Sequence, residues 1–79
     1  MLIDVRTPQE FASGHANGAV NIPLQDIEDG IMPGVDKHQE ITVYCRSGGR
    51  SEMARSILLQ NGYTKVVNAG GLQDIVRDQ

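Results

Sequence analysis

Four short apolar segments alternate with helix signals along this chain, and that alternation restricts the fold more than any other feature of the sequence. The segments are residues 2–5, 19–22, 41–44 and 65–68. Each has the length of a buried strand and is too short for a typical helix. Strands that alternate with helices are joined by right-handed crossovers, which predicts an α/β fold with a small, mostly parallel sheet and helices on both faces. Seventy-nine residues provide one core, so we expect a single domain over residues 1–79.

The first helix signal directly follows the first apolar segment. Thr7 is a suitable N-cap, Pro8 suits the first helical position, and Glu10 completes a capping box with Thr7. Ser13 and Gly14 then predict the end of a brief helix.

The strongest helix signal covers residues 51–61. Its apolar residues recur at spacings of three and four, which predicts that one stripe faces the core. That stripe consists of Met53, Ala54, Ile57 and Leu58. Asn61 and Gly62 form a suitable C-terminal cap. Weaker signals predict helical turns at 25–30, a loop at 31–39, a turn at 69–71 and a last helix from residue 72 to Arg77.

The only cysteine in the sequence, Cys45, follows the third apolar segment and begins a loop that ends at Arg50. Ligands of parallel α/β sheets bind at the carboxyl ends of strands, and Cys45 occupies such an end. The following helix start offers free N–H groups, and the loop adds two arginines, so we expect a lowered thiol pKa and a thiolate nucleophile. A lone cysteine is otherwise often an apolar core residue. Gly48 and Gly49 argue against that alternative here, because they allow N–H groups to turn inward around an anion.

Three segments, in order, contain the motifs of one known family. They are Asp4-Val5-Arg6 with Glu10-Phe11, Gly14-His15, Gly18-Ala19 and Asn21-Ile22-Pro23; the six-residue loop from Cys45 to Arg50; and Asn68-Ala69-Gly70-Gly71-Leu72. With these motifs the chain resembles the single-domain rhodaneses of the phage-shock protein E type, which are sulfurtransferases. The likeness covers almost the whole chain and implies the rhodanese-like fold.

The resemblance implies a two-step sulfur transfer through Cys45. The thiolate takes the outer sulfur of thiosulfate, sulfite leaves, and the persulfide passes its sulfur to an acceptor. One cysteine cannot resolve its own persulfide, so the acceptor is external: cyanide, a small thiol or a dithiol protein. The resemblance implies no cofactor.

The resemblance also implies roles for the rest of the loop. The backbone N–H groups stabilise the persulfide anion, and the two arginines bind the sulfonate end of the donor. The expected substrate-binding set is Arg46, Ser47, Gly48, Gly49 and Arg50.

Several residues outside this set are expected to be supporting or structural. Ser51 is either a hydroxyl donor to the loop or a helix cap. Asp4 and Arg6 form a buried pair or anchor the neighbouring loops, with a contribution to the Cys45 loop as the weaker alternative. His15 ties down the turn before the second strand, His38 is solvated, and together with the cysteine they do not make a metal site. The expected solvent-exposed charges are Glu10, Asp26, Glu28, Asp29 and Arg55.

Two other functions fit the same cysteine loop. Cysteine–arginine phosphatases that share this fold have five residues between Cys and Arg, whereas four separate Cys45 from Arg50, which favours a lone sulfur over a tetrahedral phosphate. A non-catalytic or partner-specific sulfur-carrier module is the other alternative. Arg46 differs from the Cys-Gly-Ser-Gly pattern of mercaptopyruvate sulfurtransferases, which favours thiosulfate as donor.

The net charge of −3 and the absence of a long apolar stretch argue against nucleic-acid and membrane partners. We expect a monomer in the cytoplasm, or in the periplasm if a leader has been removed. The chain begins directly on the first strand, so we expect either a domain that is minimal at its N-terminus or an N-terminus that has been trimmed. A first strand without a preceding element is expected to leave an open sheet edge that favours weak self-association.

Overall fold

The computed structural model describes residues 1–76 and confirms an α/β fold built on a four-stranded parallel sheet. In chain order the elements are β1 (Leu2–Asp4), α1 (Pro8–Ala12), β2 (Val20–Asn21), α2 (Leu24–Glu28), β3 (Ile41–Cys45), α3 (Gly49–Gln60), β4 (Val66–Gly71) and α4 (Leu72–Val76). Arg77, the predicted end of the last helix, lies outside the described residues.

The strand order β2-β1-β3-β4 determines where the helices lie. Along the sheet, β2 lies on one side of β1, and β3 and β4 lie on the other side. The connection from β1 to β2 therefore runs across the sheet in one direction, and the connections from β2 to β3 and from β3 to β4 run in the opposite direction. Right-handed crossovers therefore put α1 on one face and α2 and α3 on the other, where those two helices are in contact. β1 lies inside the sheet, so the expected open edge at the first strand was wrong: the edge strands are β2 and β4.

The core lies between the sheet and α3. The residues of α3 that it buries differ from the apolar stripe predicted from the sequence. Ala54 and Leu58 are fully buried and Ile57 packs partly against the core, but Met53 is 52% exposed. Ser51 is the buried residue one turn before Ala54. Each residue advances about 100° around an α-helix, so Ser51, Ala54 and Leu58 share a face that Met53 does not.

The helix caps agree with the sequence. Thr7 and Glu10 form both hydrogen bonds of the capping box at the start of α1, and Ser13 is its C-cap. Asn61 is the C-cap of α3, and Gly62 follows with φ +94°, a left-handed conformation that favours glycine.

The largest difference from the predicted boundaries is at the end of β4. The predicted turn at 69–71 is part of the strand, which contains a bulge: Val43 is paired with Asn68, but Cys45 is paired with Gly71. Between these two pairs the chain advances by three residues in β4 but by only two in β3. The extra residue in β4 moves the end of this strand toward the Cys45 loop. No helix within residues 1–76 has the length and apolar composition needed to cross a lipid bilayer.

Candidate active site

Cys45 is the last residue of β3, and the loop that follows it folds back over its sulfur. The residue is 1% exposed. The N–H of Gly48 donates a hydrogen bond to Cys45 Sγ at 3.0 Å. Gly48 has φ +103° and is the N-cap of α3, so glycine supplies the left-handed turn that points this N–H at the sulfur.

Ser51, in the first turn of α3, provides a second donor from below the loop. Its side chain is fully buried, and its Oγ lies 3.4 Å from Cys45 Sγ. Burial raises the pKa of the Cys45 thiol, but hydrogen bonds from the Ser51 hydroxyl and from the N–H groups of Ser51, Ser47 and Gly48 outweigh burial and lower it from 9.0 to about 7. The predicted lowering is confirmed, and its largest causes are the donors of the loop and helix start, with the charge of Arg50 a smaller favourable contribution.

The side chain of Arg50, the last residue of the loop, is held by a two-point ion pair with Glu10 of α1. Nη1 and Nη2 of Arg50 lie 2.7 and 3.0 Å from Oε1 and Oε2 of Glu10. The prediction that Glu10 is an ordinary surface charge was wrong. Its carboxylate both caps α1 at Thr7 and holds Arg50, and the Arg50 hydrogen bonds lower the pKa of Glu10 to about 2.

Arg46 is the contrasting arginine of the loop. It is exposed and forms no ion pair with any carboxylate among residues 1–76. Its side chain lines a cavity of about 510 Å³, and Cys45 is not part of the wall of that cavity. The lining residues are Arg6, Glu10, Ser13, Arg46, Leu72 and Gln73. Because Arg6 and Glu10 are paired with other residues, Arg46 is the uncompensated charge of this wall.

The two glycines of the loop differ in what they require. Gly48 needs its left-handed conformation, whereas Gly49 has no positive φ, is exposed, and has open space where a Cβ would lie. The expectation that both glycines turn N–H groups inward therefore applies to Gly48. Ser47 is exposed and contributes through its N–H.

Asp4 and Arg6 form the buried pair that the sequence predicted, next to the site. Arg6 Nη2 lies 2.6 Å from Asp4 Oδ2 and donates to the carbonyl of Gly14. The Tyr44 hydroxyl donates to Asp4 at 2.8 Å and accepts the N–H of Ala16. This network joins the ends of β1 and β3 to the turn after α1, and Arg6 also lines the cavity.

The end of β4 supports the loop from the other side. An added Cβ at Gly71 would overlap the carbonyl oxygen of Arg46, so only glycine permits this close approach of the two backbones. The Asn68 amide donates to the carbonyl of Gly48 at 3.1 Å and accepts from the Ser51 hydroxyl at 2.7 Å. Sequence reasoning grouped these residues only as a turn motif and assigned Asn68 no contact with the Cys45 loop.

The remaining polar residues are structural. His15 stacks on Phe11 with ring centroids 3.7 Å apart and contacts the Phe11 carbonyl, while His38 contacts Thr64. Arg55 is not simply solvated, because it donates to the carbonyl of Val66 and thereby ties α3 to β4. Within residues 1–76, no three His, Cys, Asp or Glu side chains cluster closely enough to hold a metal ion.

Comparisons with known proteins agree on one family. A family model described as "Rhodanese-like domain" matches residues 1–78. The chain is 47% identical over 74 residues to "Thiosulfate sulfurtransferase PspE" of Escherichia coli (strain K12), covering 92% of this chain and 71% of that protein. The structure described as "rhodanese with anions from E. coli" is 47% identical with a TM-score of 0.85, covering 94% of this chain and 88% of that one. "Putative sulfur carrier protein YrkF" of Bacillus subtilis (strain 168) is 36% identical over 74 residues, covering 92% of this chain and 40% of that protein.

Proposed function

Since this chain belongs to the rhodanese-like domain family and is a sulfurtransferase, we propose that thiosulfate is its sulfur donor and that Cys45 carries the sulfur. The observation that supports this best is the surroundings of Cys45 Sγ. The Gly48 N–H and the Ser51 hydroxyl reach the sulfur, and the pKa of the thiol is lowered to about 7. The lowered pKa makes the thiolate, which is the nucleophilic form, available at neutral pH.

The proposed first step is attack by the Cys45 thiolate on the outer sulfur of thiosulfate. A sulfur–sulfur bond forms to Sγ, the bond between the outer sulfur and the sulfonate sulfur breaks, and its electron pair leaves with sulfite. The negative charge of the thiolate is then on the outer sulfur of the persulfide. The donors around the loop act as preorganised dipoles for this anion.

The charge of Arg46 supports its role as the donor-binding residue. The sulfonate group is the bulky end of the thiosulfate dianion. A guanidinium that has no carboxylate partner can bind this group through charge-assisted hydrogen bonds. Arg50 was expected to share this role, but it is already paired with Glu10. We therefore propose that Arg46 binds the sulfonate and that Arg50 holds the loop in place, with Ser47, Gly48 and Gly49 as backbone of the binding loop.

The acceptor completes the cycle. Cyanide attacks the outer sulfur of the persulfide, leaves as thiocyanate, and returns the electron pair of the sulfur–sulfur bond to Cys45. A thiol or a dithiol protein serves the same chemical purpose. The likeness to a putative sulfur carrier protein favours a second candidate, in which a partner protein is the acceptor and cyanide turnover is slow.

The phosphatase alternative has less support. A cysteine–arginine phosphatase needs its loop arginine for the phosphate, whereas Arg50 is held by Glu10 at 2.7 Å. The four-residue gap between Cys45 and Arg50 is also one residue shorter than in that class. Hydrolysis of an aryl phosphate that is lost in Cys45→Ser would revive this alternative. The monomeric state and the compartment stay predictions.

Intact-mass measurement tests donor, nucleophile and intermediate together. Protein incubated with thiosulfate and then desalted should gain the mass of one sulfur atom, and cyanide should remove it. The Cys45→Ser variant, which keeps a side chain of similar size, should gain nothing. Equal addition in both proteins, or none in the wild type, would contradict the proposal. Slow removal by cyanide would favour the carrier candidate.

A further inference from the structure

Asn68 lies in β4 just before the bulge, and its side-chain amide uses its full hydrogen-bonding capacity. Oδ1 accepts from the Ser51 hydroxyl at 2.7 Å and from the Gly70 N–H at 2.9 Å. Nδ2 donates to the carbonyl of Gly48 at 3.1 Å and to a carboxylate oxygen of Glu52 at 3.2 Å. Two donors and two acceptor sites are all that a primary amide offers.

These partners fix the orientation of the amide. The carbonyl of Gly48 and the carboxylate of Glu52 only accept hydrogen bonds, and the N–H of Gly70 only donates one. Rotating the amide by half a turn would place oxygen against oxygen and nitrogen against N–H. The oxygen of Asn68 therefore faces the Ser51 hydroxyl.

The Ser51 hydroxyl has one hydrogen, and besides the backbone carbonyls of Gly48 at 3.1 Å and Gly70 at 3.5 Å it has two side-chain acceptors within reach, of which only Cys45 Sγ changes charge during the reaction. Its Oγ is 2.7 Å from Asn68 Oδ1 and 3.4 Å from Cys45 Sγ. A hydrogen bond to an ionised acceptor is about twice as strong as one between neutral groups, so the hydroxyl favours Sγ when Sγ is a thiolate. In the persulfide the charge is on the outer sulfur, and the hydroxyl returns to Asn68.

We propose that Asn68 is a positioning residue for sulfur transfer: it holds the Ser51 hydroxyl within reach of Cys45 Sγ and accepts its hydrogen bond whenever Sγ carries no charge. The inference rests on the proposed function, because it takes Cys45 as the nucleophile. Asn68 touches neither the sulfur nor the donor in this arrangement. Asn68 acts through Ser51, and its hydrogen bond to the Gly48 carbonyl fixes the orientation of its side-chain amide.

Six charged residues lie near the Cys45 loop. They are Arg6 and Glu10 from the β1–α1 side, Arg46, Arg50 and Glu52 from the loop and α3, and Asp74 from α4. Carboxylates and guanidinium groups do not ordinarily change charge between pH 7 and 9. A transition in that range, measured as thiolate absorbance, therefore reports on Cys45.

The test uses Asn68→Asp, which keeps Oδ1 but replaces the donor nitrogen by an oxygen that faces Gly48 and Glu52. We expect the thiolate absorbance to titrate at a pH above the wild-type value of about 7. The value of kcat/KM for thiosulfate should fall roughly five-fold at pH 7, because less thiolate is present. The loss should disappear near pH 9.0, the ordinary value for the thiol. A purely structural role would lower activity by the same factor at both pH values.

Two controls separate positioning from charge and from stability. Asn61→Asp makes the same substitution at the C-terminal end of α3, about 15 Å from Ser51 along the helix axis, and should leave the thiolate titration unchanged. In a Ser51→Ala background, Asn68→Asp should shift the titration much less than in the wild type. An equal shift in Asn61→Asp, an undiminished shift without Ser51, or no shift at all would overturn the proposal. The thiolate titration needs no sulfur donor. Its result therefore tests the role of Asn68 independently of whether thiosulfate forms a persulfide on Cys45.

Discussion

Arg46 and Arg50 are two identical side chains in the same six-residue loop, and the fold gives them opposite tasks. Arg50 is bound at two points by Glu10, whereas Arg46 is exposed and has no carboxylate partner within residues 1–76. The charge that a loop offers to an anion therefore depends on which cations are already paired. An anion that competes for Arg50 must displace Glu10, and one that binds Arg46 displaces water.

The difference originates in α1, not in the loop. Glu10 is fixed by the capping box, since its carboxylate accepts the N–H of Thr7 while its own N–H donates to the Thr7 side chain. A carboxylate held in this way meets Arg50 with little further loss of side-chain freedom. Arg46 lines the same cavity with Leu72 and Gln73 and has no carboxylate partner within residues 1–76.

Removing Arg46 should have the largest effect on substrate binding. We expect Arg46→Ala to raise KM for thiosulfate by about 10- to 100-fold, since hydrogen bonds to charged groups contribute about 1.5–3 kcal/mol. The thermal unfolding midpoint should change little, because Arg46 is exposed. Initial rates over a range of thiosulfate concentrations give KM and kcat separately. Arg55→Ala removes the same charge from α3, away from the Cys45 loop, and should leave KM nearly unchanged. Equal effects of the two variants would show a general charge effect only.

Removing Arg50 should have a smaller effect on binding and a measurable effect on stability. We expect Arg50→Ala to lower the unfolding midpoint by about 4–8 °C, which corresponds to about 1 kcal/mol for a partly exposed ion pair in a domain of this size. KM for thiosulfate should rise less than in Arg46→Ala. Thermal denaturation followed by circular dichroism checks the first expectation, and initial rates check the second.

Glu10→Gln provides the matched variant for that comparison. It should lower the midpoint by a similar amount, and the double variant should be hardly less stable than either single one, because both break the same interaction. If Arg50→Ala raised KM as much as Arg46→Ala while leaving stability intact, the two arginines would be equivalent in binding and the contrast between them would be lost.

Much of the fold could be predicted because its signals are local. The capping box at Thr7, the glycine after α3 and the apolar strands each depend on residues near in sequence, and all appear where expected except the end of β4. The loop beginning at Cys45 also had a local signal, in which Gly48 marked the turn toward the sulfur. The error at Met53 arose because apolar character alone does not tell which side of a helix is covered.

The contacts that could not be predicted join residues distant in sequence. Glu10 reaches Arg50 across forty positions, and Asn68 reaches Ser51 across seventeen. Glu10 already had a complete explanation as a helix cap, and nothing in the local pattern indicated a second partner. The bulge in β4, which follows Asn68 and brings Gly71 to the loop, depends on pairing with β3 and not on the sequence of β4 alone.

The smallest expected effect is a pH dependence that isolates the Glu10–Arg50 pair. Hydrogen bonds from Arg50 and Thr7 hold the pKa of Glu10 at about 2 in the folded chain, below its ordinary value of 4.5. A carboxylate whose folded pKa is depressed contributes stability above the ordinary value and loses it as the pH falls toward the folded value. The free energy of unfolding of the wild type should therefore exceed that of Glu10→Gln at pH 6, and the difference should shrink between pH 4.5 and 2. Urea unfolding at several pH values measures this difference in the free energy of unfolding. If the difference stayed constant between pH 4.5 and 2, the ionised Glu10–Arg50 pair would not stabilise the fold, and pairing would not distinguish Arg50 from Arg46.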